Sequence, residues 1–298
     1  MFDVVAMGEL LIDFTQNGTS SQGNIVFEAN PGGAPCNVLA MLSKLLKKTA
    51  FIGKVGNDFF GKTLRNTLRK IGIDDDGDRD FTFYRNPGAD MMLNEEEIKE
   101  DLLENTKVFH FGTLSMTHEV VMNATKKVLN IAKQNGTLIS FDPNLRKQLW
   151  DDLTIAKEAI DYGASQCNIM KIEEDEVRFL MDNNNLDEAI ILLRRKYPNI
   201  KLLFVTFGIN GAGAYYKEIS CKQKAYLEVN TIDTTGAGDT FCGSCLAYLL
   251  ENPIDQLTEE KLNYMLKFAN SAASLVTTKK GAINSMPNQY DIEELLNS

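Results

Sequence analysis

At 298 residues the chain can bury one large core or two unequal lobes. Its net charge of -10 argues against a nucleic-acid surface, which needs clustered Lys and Arg, although local dipoles or a metal ion still permit a nucleotide ligand. No apolar run approaches the roughly 20 residues that span a bilayer, the first strand has no basic flank of a signal peptide, and five cysteines, an odd number, suit a reducing cytoplasm better than a disulfide framework.

Short apolar runs read as buried strands at Val4 to Met7, Ala50 to Lys54, Val108 to Phe111, Leu138 to Phe141, Asn168 to Ile172 and Leu202 to Thr206. Amphipathic stretches between them predict helices over Cys36 to Lys47, Gly61 to Ile71, Val120 to Gln134, Thr154 to Gly163 and Asp187 to Lys196. This alternation predicts an α/β fold, a doubly wound and mostly parallel sheet flanked by helices, in a single domain over 1–298. Two segments break the rhythm. Residues 13–31 are polar and residues 78–90 alternate like an exposed strand, so both are assigned to a small β-sheet standing off the main domain. The acidic stretch Asn94 to Asp101 reads as the start of a solvated helix.

Chemistry gathers near the two ends of the chain. Asp13 follows the first strand, and Asn30-Pro-Gly-Gly-Ala-Pro-Cys-Asn37 sets a glycine pair before a helix. A carboxylate, an amide and open backbone together suit a polyol, which needs paired donors and acceptors rather than charge. Taken alone, Asp13 reads as a turn or cap. Near the other end, Asp233-Thr-Thr-Gly-Ala-Gly-Asp239-Thr-Phe places a carboxylate inside a glycine turn that opens into an apolar helix. Gly236, Ala237 and Gly238 would present amides at a helix start, where an anion is favoured. A carboxylate beside a phosphate is repelled by it, so Asp239 suggests a second task, accepting a proton from an attacking hydroxyl. The plain alternative is an N-capped helix after a glycine turn. Cys242-Gly-Ser-Cys245 falls within the apolar helix and reads as small buried residues, and His110 and His118 lack the partners of a zinc site.

Gly32-Gly-Ala-Pro-Cys-Asn37 and Asp233 to Phe241, in this order, resemble the two signatures of the PfkB or ribokinase-like carbohydrate kinases, over Val4 to Pro287. Within that family, residues 80–90 and Asp142-Pro-Asn-Leu-Arg146 are most similar to bacterial fructokinases. The resemblance implies a ribokinase-like fold with a small β-lid and an ATP-dependent kinase whose favoured reaction turns D-fructose into fructose 6-phosphate. It implies Asp239 as base, the amides of Gly236 to Gly238 as anion hole, and Asp13, Gly32, Gly33, Asn37 and Arg85 around the sugar. Thr206, Gly208, Gly211 and Asn270 would face the nucleotide, Glu176 would order Mg2+ through water, and Asp233, Thr235, Val276, Lys279, Gly281 and Ser285 would surround K+. It further implies a homodimer through lid strands, with neither nucleic acid nor membrane as partner. The rivals are a kinase of ribose, ketodeoxygluconate or a nucleoside, and a sugar or nucleotide sensor without turnover. Two departures stand out: Glu173 occupies the place where relatives often carry Asn, and the segment Gly72 to Arg79 lacks some two dozen residues that relatives insert, so either the lid is shortened or a stretch is missing.

Overall fold

The computed structural model describes residues 1–74 and 88–297. In chain order the strands are β1 (Val4–Met7), β2 (Leu11–Thr19), β3 (Ile25–Gly32), β4 (Thr49–Ile52), β5 (Ile73–Asp74), β6 (Val108–Gly112), β7 (Leu138–Asp142), β8 (Ile169–Glu173), β9 (Leu202–Thr206), β10 (Ala212–Tyr216) and β11 (Ile219–Gln223). The helices are α1 (Ala34–Lys44), α2 (Phe59–Lys70), α3 (Glu119–Gln134), α4 (Leu153–Gln166), α5 (Glu174–Met181), α6 (Leu186–Lys196), α7 (Ala237–Glu251), α8 (Glu259–Val276) and α9 (Gln289–Leu296).

Nine strands form one sheet in the order β11-β10-β9-β8-β7-β6-β1-β4-β5. From β9 to β5 the pairings are parallel, and β10 pairs antiparallel with both of its neighbours. The buried strands are apolar on both faces because helices cover both. Along β1, Val4 and Ala6 join one apolar cluster while Val5 and Met7 join the other, as the period of two demands. The first cluster packs against α1, α7, α8 and α9; the second packs against α3, α4, α5 and α6. The helix starts are locally encoded. Asp58, Asp152 and Asn185 accept from the amides of Gly61, Thr154 and Glu188, and Pro35 sits in the first turn of α1.

Residues 11–32 form the separate two-stranded antiparallel sheet β2–β3. Most of the segment 78–90, with Arg85, lies outside the described residues; at its end, Ala89–Met92 form a 3-10 turn rather than a strand. The expected helix at 94–101 is replaced by two short 3-10 turns. Leu93, Ile98 and Leu103 are buried there, and Glu97 pairs with Lys54 at 2.8 Å, so the segment is anchored to the core at a spacing that a helix face would not satisfy. The hairpin β10–β11 and the helix α9 were not expected from the sequence.

Candidate active site

The site lies at the carboxyl edge of the parallel strands, where open α/β sheets bind ligands. Beyond β1 stands Glu9, β7 ends in Asp142, β8 carries Lys171 and Glu173, and β9 ends in Thr206. Against this edge rests the start of α7. Gly236, in a left-handed conformation (φ 79°), turns the chain into the helix, and a Cβ there would meet that of Ala282 at 2.6 Å. The first turn of α7 then presents Ala237, Gly238 and Asp239 beside two cavities.

The first cavity, about 530 Å³, is lined by Asp13, Gly33, Asn37, Lys171 and Asp239 among others. The second, about 520 Å³, is lined by Thr206, Gly208, Gly211, Asn270 and Phe241 among others. Glu173, Thr234, Ala237 and Gly238 border both, so one turn of backbone is their common wall. The first is rich in charged and amide groups, which suits a hydroxylated ligand. The second has Ile209, Tyr226, Leu227 and Phe241 on its wall, which suits a ligand with a flat apolar part.

Asp239 is 7% exposed. Asn37 donates Nδ2 to its Oδ2 at 2.8 Å, and Asn144 donates Nδ2 to its Oδ1 at 3.2 Å. Burial, together with the charge of Asp142, pushes the Asp239 carboxyl up to about 6, although the Asn37 amide, Lys171 and Arg146 work the other way. A carboxyl poised near neutrality beside a cavity is what a general base requires. The Oδ1 atom of Asn37 is buried without a partner among the described residues. That acceptor is free to take a hydroxyl.

Gly32 and Gly33 hold the chain against β1: a Cβ on Gly33 would lie 2.3 Å from the Glu9 carbonyl oxygen, and one on Gly32 would lie 2.8 Å from Asp13 Oδ2. On the second cavity, Gly208 and Gly211 have φ of 56° and 94°. Asn270 Nδ2 donates to the carbonyls of Gln223 and Lys224 at 3.0 and 3.1 Å, fixing the wall of that cavity. In the loop 277–285, Asp233 Oδ2 accepts from the Gly281 amide at 3.0 Å and its Oδ1 accepts from Thr235, while Ser285 donates to the Lys280 carbonyl. The Asp233 carboxyl stands below its usual range because these donors outweigh burial. Val276 closes α8 just before this loop, and its carbonyl accepts from the Lys279 amide at 3.4 Å.

Glu176, expected to order Mg2+, has both carboxylate oxygens on backbone amides: Oε1 accepts from Leu145 at 2.6 Å and Oε2 from Glu173 at 2.9 Å. It braces β8 to the 143–146 loop. The exposed carboxylate at the junction of the cavities is Glu173, 61% exposed, and its oxygen is the kind of donor a hard divalent ion takes. Among the described residues there is no group of three or more His, Cys, Asp and Glu that could hold a metal.

Three residues of the first cavity were missed from the sequence. Glu9 is buried, its Oε1 accepts from the Ala34 amide at 2.7 Å, and burial pushes its carboxyl up to about 7. Asn144 has φ 47°, a left-handed conformation that Asn tolerates, and this aims its amide at Asp239. Lys171 is buried within β8. Its presence in an otherwise apolar run was the available signal, since Lys is almost never fully buried unless paired.

A buried carboxylate raised toward neutrality, a helix start open to an anion and two cavities meeting across that turn fit a phosphotransferase acting on a hydroxyl group. The chain matches the model of the pfkB family carbohydrate kinases over residues 1–78 and 71–289, and it belongs to that family. It is 39% identical over 306 residues to the probable fructokinase-2 of Arabidopsis thaliana, covering 95% of this chain and 92% of that one. It is 37% identical over 317 residues to fructokinase-1 of Oryza sativa subsp. japonica, covering 99% and 98%. Among solved structures, the fructokinase of Xylella fastidiosa with bound ATP superposes with a TM-score of 0.88 at 25% identity, covering 100% and 99% of the two chains. A double mutant of the Vibrio cholerae O395 fructokinase, in its fructose, ADP and potassium ion bound form, gives 0.87 at 27% identity, covering 99% and 98%.

Proposed function

We propose that this protein is an ATP-dependent fructokinase that converts D-fructose and ATP to fructose 6-phosphate and ADP. The observation that carries the reading is the Asp239 carboxylate, held by two amides on the wall of a cavity lined by charged and amide groups, one helical turn from a second cavity with an apolar wall. That its relatives include fructokinases, and a structural neighbour is a fructokinase with fructose bound, supports fructose as the acceptor.

In this reading Asp13, Gly32, Gly33 and Asn37 hold the sugar. Asp239 takes the proton of the attacking hydroxyl, and the amides of Gly236 to Gly238 receive the charge that builds on the transferred phosphoryl group. Thr206, Gly208 and Gly211 border the nucleotide, with Asn270 shaping the wall behind it. The Mg2+ that accompanies ATP, when bound, neutralises phosphate charge, and we assign its protein contact to Glu173. The bridging carboxylate of Asp233, with Thr235, Val276, Lys279, Gly281 and Ser285, is the place for K+. The sheet β2–β3 acts as a lid over the sugar cavity, and its outer face serves as the contact of a homodimer. The alignment with the Arabidopsis relative runs to 306 positions over 95% of this chain, so it contains gaps, and the family model matches in two stretches whose ends meet at residues 71–78, in keeping with a segment there that is shorter than in relatives. Among the described residues no helix is long and apolar enough to cross a membrane, in keeping with work in the cytoplasm.

The test is ADP release from Mg-ATP with fructose, ribose, ketodeoxygluconate and adenosine, with and without K+. Turnover on fructose is expected. Turnover on another acceptor alone would keep the kinase and discard the substrate. Asp239→Asn should lower kcat by about a thousandfold while ADP binding changes less than about threefold. Equal loss of both would make Asp239 a structural residue.

A further inference from the structure

Lys171 is a buried charge among four carboxylates to which the reading above gives no task. Alternation along β8 sends it to the face of the sheet beneath α7, with Met170 and Ile172 on the opposite face. There it meets His110 of β6 and Asp142 of β7, which point the same way because their neighbours Phe109, Phe111 and Phe141 point to the other face. Burial opposes its charge, yet the carboxylates of Asp142, Glu176, Glu173 and Asp239 outweigh burial and hold the ammonium firmly protonated.

An ammonium carries three N–H donors, more than one neighbouring carboxylate takes up. Here the Nζ atom is 3.1 Å from Asp142 Oδ2 and 3.4 Å from its Oδ1. Oδ2 has no hydrogen bond among the described residues, and Glu173 lies farther off at 3.8 Å. The ammonium is therefore held close but not saturated, and it borders the sugar cavity. Directly above it is Gly238, where a Cβ would come within 3.1 Å of Nζ. Glycine at this position leaves the path from the ammonium to the helix start open. Among the described residues lining that cavity, the other cation is Arg146, which is exposed to solvent.

We propose that Lys171 is a catalytic residue whose ammonium donates to oxygens of the phosphoryl group as it passes from ATP to the sugar across the Gly238 turn. The inference rests on the phosphotransfer reading. As the bond from the γ-phosphorus to the β-bridging oxygen breaks and the bond to the sugar oxygen forms, the electron pair leaves with ADP and the hydroxyl proton goes to Asp239. Lys171 keeps its protons throughout and offsets charge on the group in transit.

The experiment compares wild type, Lys171→Met and the charge-balanced Lys171→Met/Asp142→Asn. The double variant removes Asp142's charge together with its cation, while Glu176 and Asp239 each keep two amide donors, so it separates a role toward phosphate from a role toward Asp142. Each protein is assayed for fructose-dependent ADP release, and for the affinity of ADP alone and of ADP with aluminium fluoride and fructose. The expected result is a folded double variant that binds ADP within about threefold of wild type, loses at least about a hundredfold in kcat, and no longer tightens with aluminium fluoride. Recovery of kcat to within about tenfold of wild type in the double variant would overturn the inference, leaving Lys171 as the counter-ion of Asp142. A wild type silent with every sugar would overturn the kinase reading itself, and the inference with it.

Discussion

Asp239 is pulled in opposite directions: burial and Asp142 favour its neutral form, while Asn37, Lys171 and Arg146 favour the carboxylate. With the carboxyl near 6, kcat/KM should fall about tenfold per pH unit below that value and level off above it. Asn144→Ala removes a donor to the charged form, so the acid limb should move to higher pH by about half a unit to one unit. An unmoved limb would deny Asn144 that role. Glu9 offers a stability test. Its folded carboxyl is raised to about 7, so protonation favours the folded state, and the stability present at acid pH is lost as pH rises through 7. Glu9→Gln keeps the acceptor for the Ala34 amide and should melt a few degrees higher than wild type at pH 8, a gain on the order of 2 kcal/mol that closes toward pH 5. Asp239, Asn37 and the glycines were legible because their spacing encodes a local turn and a helix start. Glu9, Asn144 and Lys171 were not, because their meaning arises only where strands distant in sequence end side by side.

At the level of elements, the parallel strands and amphipathic helices were legible from apolar periodicity, with β1 and β9 falling on the expected residues. The hairpin β10–β11 escaped because Ala212-Gly-Ala offers little side-chain contrast, and its burial comes from β9 and α8 rather than from any pattern of its own. The 94–101 segment misled because acidic residues that favour a helix start serve there as a capping box and as partner of Lys54. Gly211 anchors the turn between β9 and β10: its φ is 94°, and a Cβ would lie 2.0 Å from the Gln223 carbonyl oxygen. Gly211→Ala should cost about 2 kcal/mol or more and raise the KM for ATP more than it lowers kcat, as read by thermal melting and initial rates. A normal melt with unchanged KM would show that the turn tolerates the strain.

For the molecule as a whole, the doubly wound architecture was legible because alternation of strand and helix admits few other solutions. The expectation of a homodimer through the lid strands came from the resemblance alone, because an exposed apolar residue in sequence looks like a buried one. Phe14 and Phe27 on the small sheet and Phe59 and Phe60 of α2 are exposed, and Phe14 and Phe60 meet edge to face at 5.8 Å. Such a patch calls for a partner surface. Sedimentation should find a dimer, and Phe14→Ser/Phe27→Ser should sediment as a monomer with its circular dichroism intact; a wild-type monomer would discard the assignment. The contact between Asn37 and Asp239 carries a different consequence, for the order in which the protein is made. Every strand of the large sheet lies before residue 224, whereas α7, α8 and α9 follow it. A chain emerging from the ribosome can therefore complete its sheet while the face of Val4, Ala6 and Phe204 still lacks those three helices. When they dock, they cover that apolar face and bring Asp239, the proposed base, against Asn37 of α1. Activity and protection from aggregation thus arrive in the same late event, and a chain cut short before α7 would have neither.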